Sequence, residues 1–291
     1  MNLDHLNHST KDAFVAALGD IFEHSPWIAE AAFAKRPFAS LAALHAAMLG
    51  AVHDASVERQ IDLIKAHPDL AGKAARAGAL TADSTTEQGS AGLDRLSEAA
   101  FAAFHRLNDA YRGRFGFPFV ICARRHGKES ILRQFEQRLG NDHEEEVEAA
   151  LVEIADITAL RLDQRVEAPE RLAVHGRLST HVLDTQAGQP AAGVAIELYE
   201  LDGDAARLVT RAVTNADGRT DRPLIAGRPV PIARYELRFQ VAAYFAGRGV
   251  ELADPPFLDV VPLRFAVAEP EGHYHVPLLV TPWSYTTYRG S

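Results

Sequence analysis

The hydrophobic pattern of this chain changes its period once, and that change limits the folds open to it. Up to residue 165, apolar side chains recur every three to four positions, as they do on one face of an α-helix. Beyond residue 172, stretches such as 194–200 alternate apolar and polar side chains, which is typical of half-buried strands. The sequence therefore predicts an all-α domain at 1–165, a linker at 166–171 and a β-sandwich domain at 172–291.

Capping residues and prolines divide the first domain into helices, and Gly, Pro and Asp turn signals separate the strands of the second. The predicted helices cover residues 14–22, 26–33, 41–52, 57–64, 90–112, 128–139 and 142–162, with a polar loop at 84–88. The predicted strands cover residues 194–200, 208–214, 235–241, 263–267 and 273–280.

Composition and charge exclude several classes of partner. With 291 residues, of which 47% are hydrophobic, the chain can bury two cores. A net charge of −9, without a Lys/Arg cluster larger than a pair, argues against nucleic acid and against an anionic membrane. We expect no secretory signal, since residues 1–6 have neither a basic nor an apolar region, and no membrane span, since no apolar run approaches the ~20 residues that a span needs. The single cysteine, Cys122, precludes an intramolecular disulfide and predicts a cytoplasmic location.

Polar residues in the second domain stand where apolar or turn residues are expected. His181 interrupts an apolar strand, where a lone histidine is often a hydrogen-bonded core residue, and Arg219 follows an Asp-Gly turn that would also suit a solvated hairpin tip. His273 and His275 share one face of a strand, and His-x-His is a possible zinc pair that would need further ligands. The polar residues 288–291 directly follow a buried strand, which predicts that this tail closes a site.

These residues belong to three separated motifs, LSTHVLDTQAGQPAAGV, TNADGR and HYHVPLLVTPWSYTTYRGS. Their order resembles that of the 5-hydroxyisourate hydrolases, the enzymatic relatives of transthyretin. The resemblance covers residues 172–291 and implies a transthyretin-like β-sandwich that opens the six-membered ring of 5-hydroxyisourate without a metal. The implied catalytic residues are His181, Arg219, His275 and Ser291, and the implied substrate-binding residues are Tyr288, Arg289 and Gly290.

The chemistry of that residue set fits hydrolysis. A histidine that is neutral near pH 7 can take a proton from water as the water attacks a ring carbonyl. The guanidinium of Arg219 can stabilise the oxyanion that develops. Which histidine acts as the base stays open at this point.

The first domain contains three further runs of interest, AHPDLAGK, STTEQGSAGL and FGFPFVICARRHGKESIL. His67 stands at a helix end, where the helix dipole favours its charged form and could alone explain its presence. Cys122 lies in an apolar run and is interpreted as a core residue rather than a nucleophile. The acidic run 143–146 could be a metal site, but its acidic neighbours predict a solvated helix face.

Together these runs resemble the 2-oxo-4-hydroxy-4-carboxy-5-ureidoimidazoline (OHCU) decarboxylases, over about residues 5–165. That family is all-α and free of cofactors, and its substrate is the product of isourate ring opening. The resemblance implies His67 as the catalytic acid/base, with Glu87 as its partner. The implied substrate-binding residues are Pro68, Ser84, Thr85, Thr86, Glu87, Gln88, Phe119, Val120, Ile121, Cys122 and Ala123. Arg161 is a further candidate for the substrate's oxygens, or else a helix-surface arginine in an i,i+4 ladder.

The order of the two domains resembles that of the fused allantoin synthases. It implies a bifunctional enzyme of urate degradation that needs no cofactor, acts on the small molecules 5-hydroxyisourate and OHCU, and forms a homo-oligomer, either a dimer or a tetramer. Two alternatives belong to other classes. One is a transthyretin-like ligand carrier fused to a helical interaction module, and the other is a metal-dependent cyclic amidohydrolase.

Overall fold

The structure, a computed structural model, describes residues 1–72, 80–203 and 205–290. It divides into two compact units, residues 1–174 and 175–291. The first is helical and the second is built of β-sheets, which confirms the predicted fold classes. The exact bounds of the predicted linker stay a prediction. Within the described part of the chain, no helix is both long and apolar enough to cross a membrane.

The helical unit is formed by α1 (Leu3–His8), α2 (Lys11–Leu18), α3 (Pro26–Phe33), α4 (Leu41–His53), α5 (Val57–Lys65), α6 (Ala82–Ser90), α7 (Glu98–Phe115), α8 (Lys128–Arg138) and α9 (His143–Arg165). Side-chain caps fix several of these starts, because their oxygens satisfy backbone N–H groups that have no partner within the helix. Ser40 caps α4, Ser97 caps α7, and Asp142 forms a capping box with Glu145 at α9. The apolar stripes of the helices meet in one core that includes Phe14, among other aromatic residues.

Three predictions for the helical unit are wrong. The single helix predicted at 90–112 is broken, because Gly92 adopts a left-handed backbone with φ of 73°, and Ser97 starts a new helix at Glu98. The loop predicted at 84–88 is instead part of α6, whose N-terminus is capped by Thr81. The helix predicted at 14–22 ends at Leu18, although Ile21 and Phe22 beyond it are buried.

The β unit contains eleven strands within the described residues. They are β1 (Gly176–Ser179), β2 (Val182–Asp184), β3 (Gln189–Pro190), β4 (Ala195–Asp202), β5 (Ala205–Val213), β6 (Ile225–Arg228), β7 (Ala233–Gln240), β8 (Val260–Val267), β9 (His273–His275), β10 (Leu278–Val280) and β11 (Tyr285–Thr287). They form three sheets with the orders β6-β1-β9, β11-β10-β2-β3 and β5-β4-β7-β8. Alternating side chains such as Ile196, Leu198 and Leu237 fill the core between them.

The strand predicted at 273–280 is two strands in different sheets. β9 pairs in parallel with β1, and β10 pairs in parallel with β2. Pro277 stands at the step between them and has no N–H to donate to a continuous ladder. The sequence also missed α10 (Val241–Gly247), the helix that directly follows β7. β1 ends and β2 begins beside the point where their partners, β9 and β10, end and begin. The residues that join β1 to β2 therefore lie close to those that join β9 to β10.

Candidate functional site

His67 follows the end of α5 and is buried, with 6% of its surface exposed. Its Nδ1 lies 3.0 Å from the carbonyl oxygen of Leu63, and a carbonyl only accepts, so Nδ1 carries the proton. Nε2 therefore presents a lone pair, and this atom has no hydrogen-bond partner among the described residues. Burial lowers the pKa of His67 to about 4 and outweighs both the Leu63 carbonyl and the charge of Glu23, which raise it. At neutral pH His67 is a neutral base, contrary to the charged form that the helix dipole favours.

A cavity beside His67 brings together most of the residues predicted for this half. It is lined by His67, Pro68, Leu70, Ser84, Glu87, Gln88, Phe119, Val120, Ile121, Ala123, Ile157 and Arg161. Ser84, Glu87 and Gln88 reach it together because they lie three and four positions apart on α6. Thr85 and Thr86 are exposed, and their hydroxyls donate to backbone carbonyls of the preceding turn, so they do not line the cavity.

Arg161 is buried with 4% exposure, so the alternative of a helix-surface arginine is wrong. Its Nε and Nη2 donate to the two carboxylate oxygens of Glu87, both at 2.8 Å. Its Nη1 donates at 2.9 Å to Glu23, a buried acid that no sequence motif contained. Glu87 and His67 line the same cavity, and the carboxylate of Glu87 is oriented by Arg161.

The segment Phe119 to Ala123, which forms one wall of the cavity, is held from behind by the side chains of Glu153 and the buried Arg138. The Cys122 N–H donates to Glu153 Oε2 at 2.8 Å, and the Val120 carbonyl accepts from Arg138 Nη1 at 2.9 Å. Cys122 itself is buried in the core, as predicted, and burial raises the pKa of its thiol. The Cys122 side chain is not part of the cavity wall, and its backbone N–H is already bound by Glu153.

Arg138 is neutralised by Glu146, which is fully buried and also accepts from the hydroxyl of Tyr111. The prediction of a solvated face is therefore wrong for Glu146, although residues 143–145 are exposed. Removing one partner from a buried pair of this kind costs roughly 3–5 kcal/mol, since the other charge is left uncompensated. We infer that this network fixes the wall formed by Phe119 and Val120.

In the β unit, the paired steps from β1 to β2 and from β9 to β10 place two histidines in contact. His181 Nδ1 lies 2.7 Å from His275 Nε2, and the rings are stacked with their centroids 4.9 Å apart. His275 Nδ1 lies 2.9 Å from Ser179 Oγ, so both nitrogens of His275 are engaged. The Nε2 atom of His181 has no hydrogen-bond partner among the described residues. The arrangement is a chain of three groups that ends in an open histidine nitrogen.

Arg219 adds positive charge to this pair. Its backbone forms a bridge with that of His181, because the turn at Gly218 folds against Val182. The Arg219 side chain is exposed, and its guanidinium has no hydrogen-bond partner among the described residues. Burial, and then Arg219, lower the pKa of His181, while burial, His181 and Arg219 lower that of His275 to about 4. Both histidines are thus neutral at pH 7.

The C-terminal tail lies against His275. Gly290 N–H donates to the His275 carbonyl at 2.8 Å, and a Cβ at Gly290 would lie 2.7 Å from His275 Cδ2, which only glycine avoids. Tyr288 and Arg289 line a cavity of ≈ 280 Å³ that His275 also lines, with the Arg289 guanidinium 5.0 Å from the ring centre of Tyr274. Ser291 lies outside the described residues.

A zinc site at His273 and His275 was one interpretation of the sequence. His273 is exposed, whereas His275 is bound to Ser179 and His181. Across residues 1–72, 80–203 and 205–290, no three His, Cys, Asp or Glu side chains group in a way that could hold a metal ion. The absence of a metal from the reaction stays a prediction.

The chain thus combines an all-α unit that holds a buried histidine with a β unit that holds a histidine pair. The OHCU decarboxylase family profile matches residues 7–163, and the HIUase/Transthyretin family profile matches residues 178–290. The chain therefore belongs to the OHCU decarboxylase family through its helical unit and to the HIUase/Transthyretin family through its β unit.

Individual relatives match in the same way. A 5-hydroxyisourate hydrolase of Deinococcus radiodurans is 61% identical over 117 residues, which are 40% of this chain and 98% of that protein. An OHCU decarboxylase of Haloferax volcanii is 43% identical over 165 residues, 57% of this chain and 96% of that protein. The crystal structure of an (S)-allantoin synthase matches over 100% of both chains, with 34% identity and a TM-score of 0.50.

Proposed function

We propose that this chain is a bifunctional enzyme of urate degradation. Its β unit hydrolyses 5-hydroxyisourate to OHCU, and its helical unit decarboxylates OHCU to (S)-allantoin. The observation that carries the proposal is that each unit holds a histidine with a lowered pKa and a ring nitrogen that has no hydrogen-bond partner among the described residues, beside residues of its own family motif. The full-length match to an (S)-allantoin synthase supports the pairing.

Hydrolysis of the isourate ring bonds the oxygen of water to a ring carbonyl carbon, breaks the C–N bond and leaves a proton on the nitrogen. Two facing ring nitrogens 2.7 Å apart share one proton when both histidines are neutral. With that proton on His181 Nδ1, His181 Nε2 carries a lone pair and can take a proton from water. With the proton on His275 Nε2, the same His181 Nε2 carries a hydrogen for the leaving nitrogen. The geometry favours His181 as the group that faces substrate and His275 as the relay to Ser179.

The guanidinium of Arg161 is bound to carboxylates of the protein, whereas that of Arg219 has no hydrogen-bond partner among the described residues. The exposed guanidinium of Arg219 can donate to the oxyanion that forms when water attacks the carbonyl. Tyr288, Arg289 and Gly290 enclose the other side of the substrate, and Ser291 remains part of the proposed site through its family motif. Supporting this, the backbone of Gly290 is bound to that of His275.

In the helical unit, the substrate loses CO2 by breaking a C–C bond. The electrons left behind are taken up by the adjacent carbonyl and ring nitrogens of the imidazoline, so the protein has to orient the substrate and move protons. His67 Nε2 can accept a proton from the substrate and return one to a single face of the ring carbon, with Glu87 as the neighbouring carboxylate. Phe119, Ile121 and Ile157 keep the site apolar. We propose that Arg161 orients Glu87 rather than binding substrate.

The experiment that tests the function follows freshly generated 5-hydroxyisourate by ultraviolet absorbance and circular dichroism after the chain is added. Fast loss of the isourate band with the growth of an (S)-allantoin signal is the expected result. Fast loss of the band that ends in a slowly decaying, optically active intermediate would overturn the decarboxylase assignment. No acceleration of either step would overturn both and would favour a ligand carrier.

The oligomeric state and the cellular location of the protein are also proposals. We expect a homo-oligomer, dimer or tetramer, and the exposed aromatic residues Trp283, Tyr285 and Tyr288 near the end of the chain fit a covered surface. Light scattering of the purified chain measures the state directly. A cytoplasmic location rests on the single buried cysteine.

The hydrolysis rate should keep its neutral-pH value down to pH 6.5, the ordinary pKa of histidine, and should fall only below it. Histidine acts here as a base, so protonation removes activity, and the pKa values of both His181 and His275 are lowered, that of His275 to about 4. The neutral forms therefore persist as the pH falls from 8 to the ordinary histidine pKa, and kcat/KM should decline only below it. Stopped-flow absorbance across pH 4 to 8 measures the profile. An acid limb centred at the ordinary histidine pKa would contradict this assignment.

Replacing Gly290 with alanine should lower hydrolysis by roughly tenfold to a hundredfold, because a sub-ångström shift of a catalytic group has effects of that size. The new Cβ would stand 2.7 Å from His275 Cδ2, so the tail or the imidazole must move. Gly247→Ala is the matched control, since a Cβ there meets no atom within 4 Å. Equal hydrolysis rates in the two variants would show that the tail does not position His275.

A further inference from the structure

Glu23 lies in the turn between α2 and α3 and is the acid that the family motifs did not contain. It is buried with 3% exposure, and its neighbours Ile21 and Phe22 anchor the turn in the core. Its Oε1 accepts from the Thr81 hydroxyl at 2.8 Å, and its Oε2 accepts from Ser84 at 3.3 Å. A buried carboxylate is retained only where such partners and an opposite charge compensate for the lost water.

The opposite charge is Arg161, whose five N–H groups all have acceptors within the protein. Nη1 donates to Glu23 at 2.9 Å and to the Ile21 carbonyl at 3.3 Å. Nε and Nη2 donate to Glu87 at 2.8 Å each, and Nη2 also reaches Ser84 at 3.4 Å. The guanidinium is a rigid planar fork, so fixing one edge on Glu23 fixes the direction of the edge that holds Glu87.

We propose that Glu23 is a positioning residue of the decarboxylase site, which locks Arg161 and, through it, the Glu87 carboxylate, and whose negative charge stabilises His67 when His67 carries a proton. The proposal rests on the proposed decarboxylase function. It adds a residue from a segment that is remote in sequence from every motif of the site.

The charges around His67 agree with this role. Burial, Arg161 and His24 all lower the pKa of His67, whereas the Leu63 carbonyl and Glu23 raise it, and Glu87 lines the same cavity. Burial by itself would raise the pKa of Glu23, but Arg161 and Thr81 outweigh it, so Glu23 is ionised. Without the charge of Glu23, one of the two groups that raise the pKa of His67 would be lost, and the Leu63 carbonyl would remain.

The test is Glu23→Gln in the full chain, which keeps the size and shape of the side chain but removes its charge and replaces one acceptor oxygen with an NH2 donor. Decarboxylation should fall by roughly tenfold to a hundredfold in kcat, and the pH limb set by His67 should move to lower pH. Hydrolysis by the β unit of the same chain should not change. Asp163→Asn is the matched control, because Asp163 is also buried in the helical unit and pairs with Arg171 instead of Arg161. A Glu23→Gln chain with the rate and pH profile of the wild type would overturn the proposal.

A second variant and a second readout keep the roles separate. Glu23→Asp retains the charge and shortens the reach, so kcat should fall while the pH limb stays in place, and movement of that limb would overturn the electrostatic role.

Histidine-ring NMR of the full chain, with the His67 signal identified by its loss in His67→Asn, should show a lower His67 pKa in Glu23→Gln. An unchanged His67 pKa would overturn the proposal, whereas a wild-type chain that does not decarboxylate OHCU would overturn the proposed function instead.

Discussion

Replacing His67 with asparagine should remove enzymatic decarboxylation of OHCU and leave hydrolysis of 5-hydroxyisourate at the wild-type rate. Asparagine keeps a polar group of similar reach but cannot exchange a proton near neutral pH. Positioned acid–base groups contribute about 10²–10⁴-fold to rates, so a loss in that range is expected. Circular dichroism should then show an optically active intermediate that decays at its spontaneous rate, with (S)-allantoin no longer favoured.

His45→Asn separates a chemical role from the general cost of removing a buried histidine. His45 is a partly buried histidine of the helical unit whose pKa burial likewise lowers to about 4, but its Nε2 is bound to Thr158. It is absent from the cavity wall, so this variant should decarboxylate within about threefold of the wild type, as substitutions away from the site usually do. A His67→Asn chain as active as His45→Asn would mean that His67 only shapes the cavity.

The two-unit architecture and the family motifs could be predicted from the sequence because both are local properties. Hydrophobic period distinguishes helix from strand within a few residues, and each motif carries its own site residues. Ser84, Glu87 and Gln88 were predicted as part of a loop, yet they still line the cavity, because a helix brings positions three and four apart to one face. The same helical geometry turns Thr85 and Thr86 outward, which a linear motif cannot indicate.

The residues that sequence analysis missed depend on contacts between distant segments. Glu23 meets Arg161 across 138 positions, and Ser179 meets His275 across 96. Their only local signals were an acid next to the apolar pair Ile21-Phe22, and a serine two positions before His181. Glu146 looked solvated because its neighbours in sequence are acidic, whereas the charge that neutralises it, Arg138, comes from α8.

Replacing either His181 or His275 with asparagine should lower 5-hydroxyisourate hydrolysis by about 10²–10⁴-fold, and replacing both should lower it little further. The two rings share one proton across 2.7 Å, so loss of either ring removes the pathway that lets His181 Nε2 act first as a base and then as an acid. Groups that act as one unit are strongly non-additive. Stopped-flow absorbance measures the three rates, and decarboxylation is checked by supplying OHCU from a separate hydrolase.

His273→Asn is the control for this pair, because His273 lies on β9 with His275 but is exposed. Its Nε2 lies 3.5 Å from Ser179 Oγ, farther than the 2.9 Å of His275 Nδ1. Its hydrolysis rate should stay within about threefold of the wild type, as for other exposed positions. Additive losses in the double variant would mean that His181 and His275 contribute separately, for example by each binding a different oxygen of the substrate. In that case the shared proton would be a feature of the resting site and not of the reaction, and Ser179 would have no catalytic relay to support.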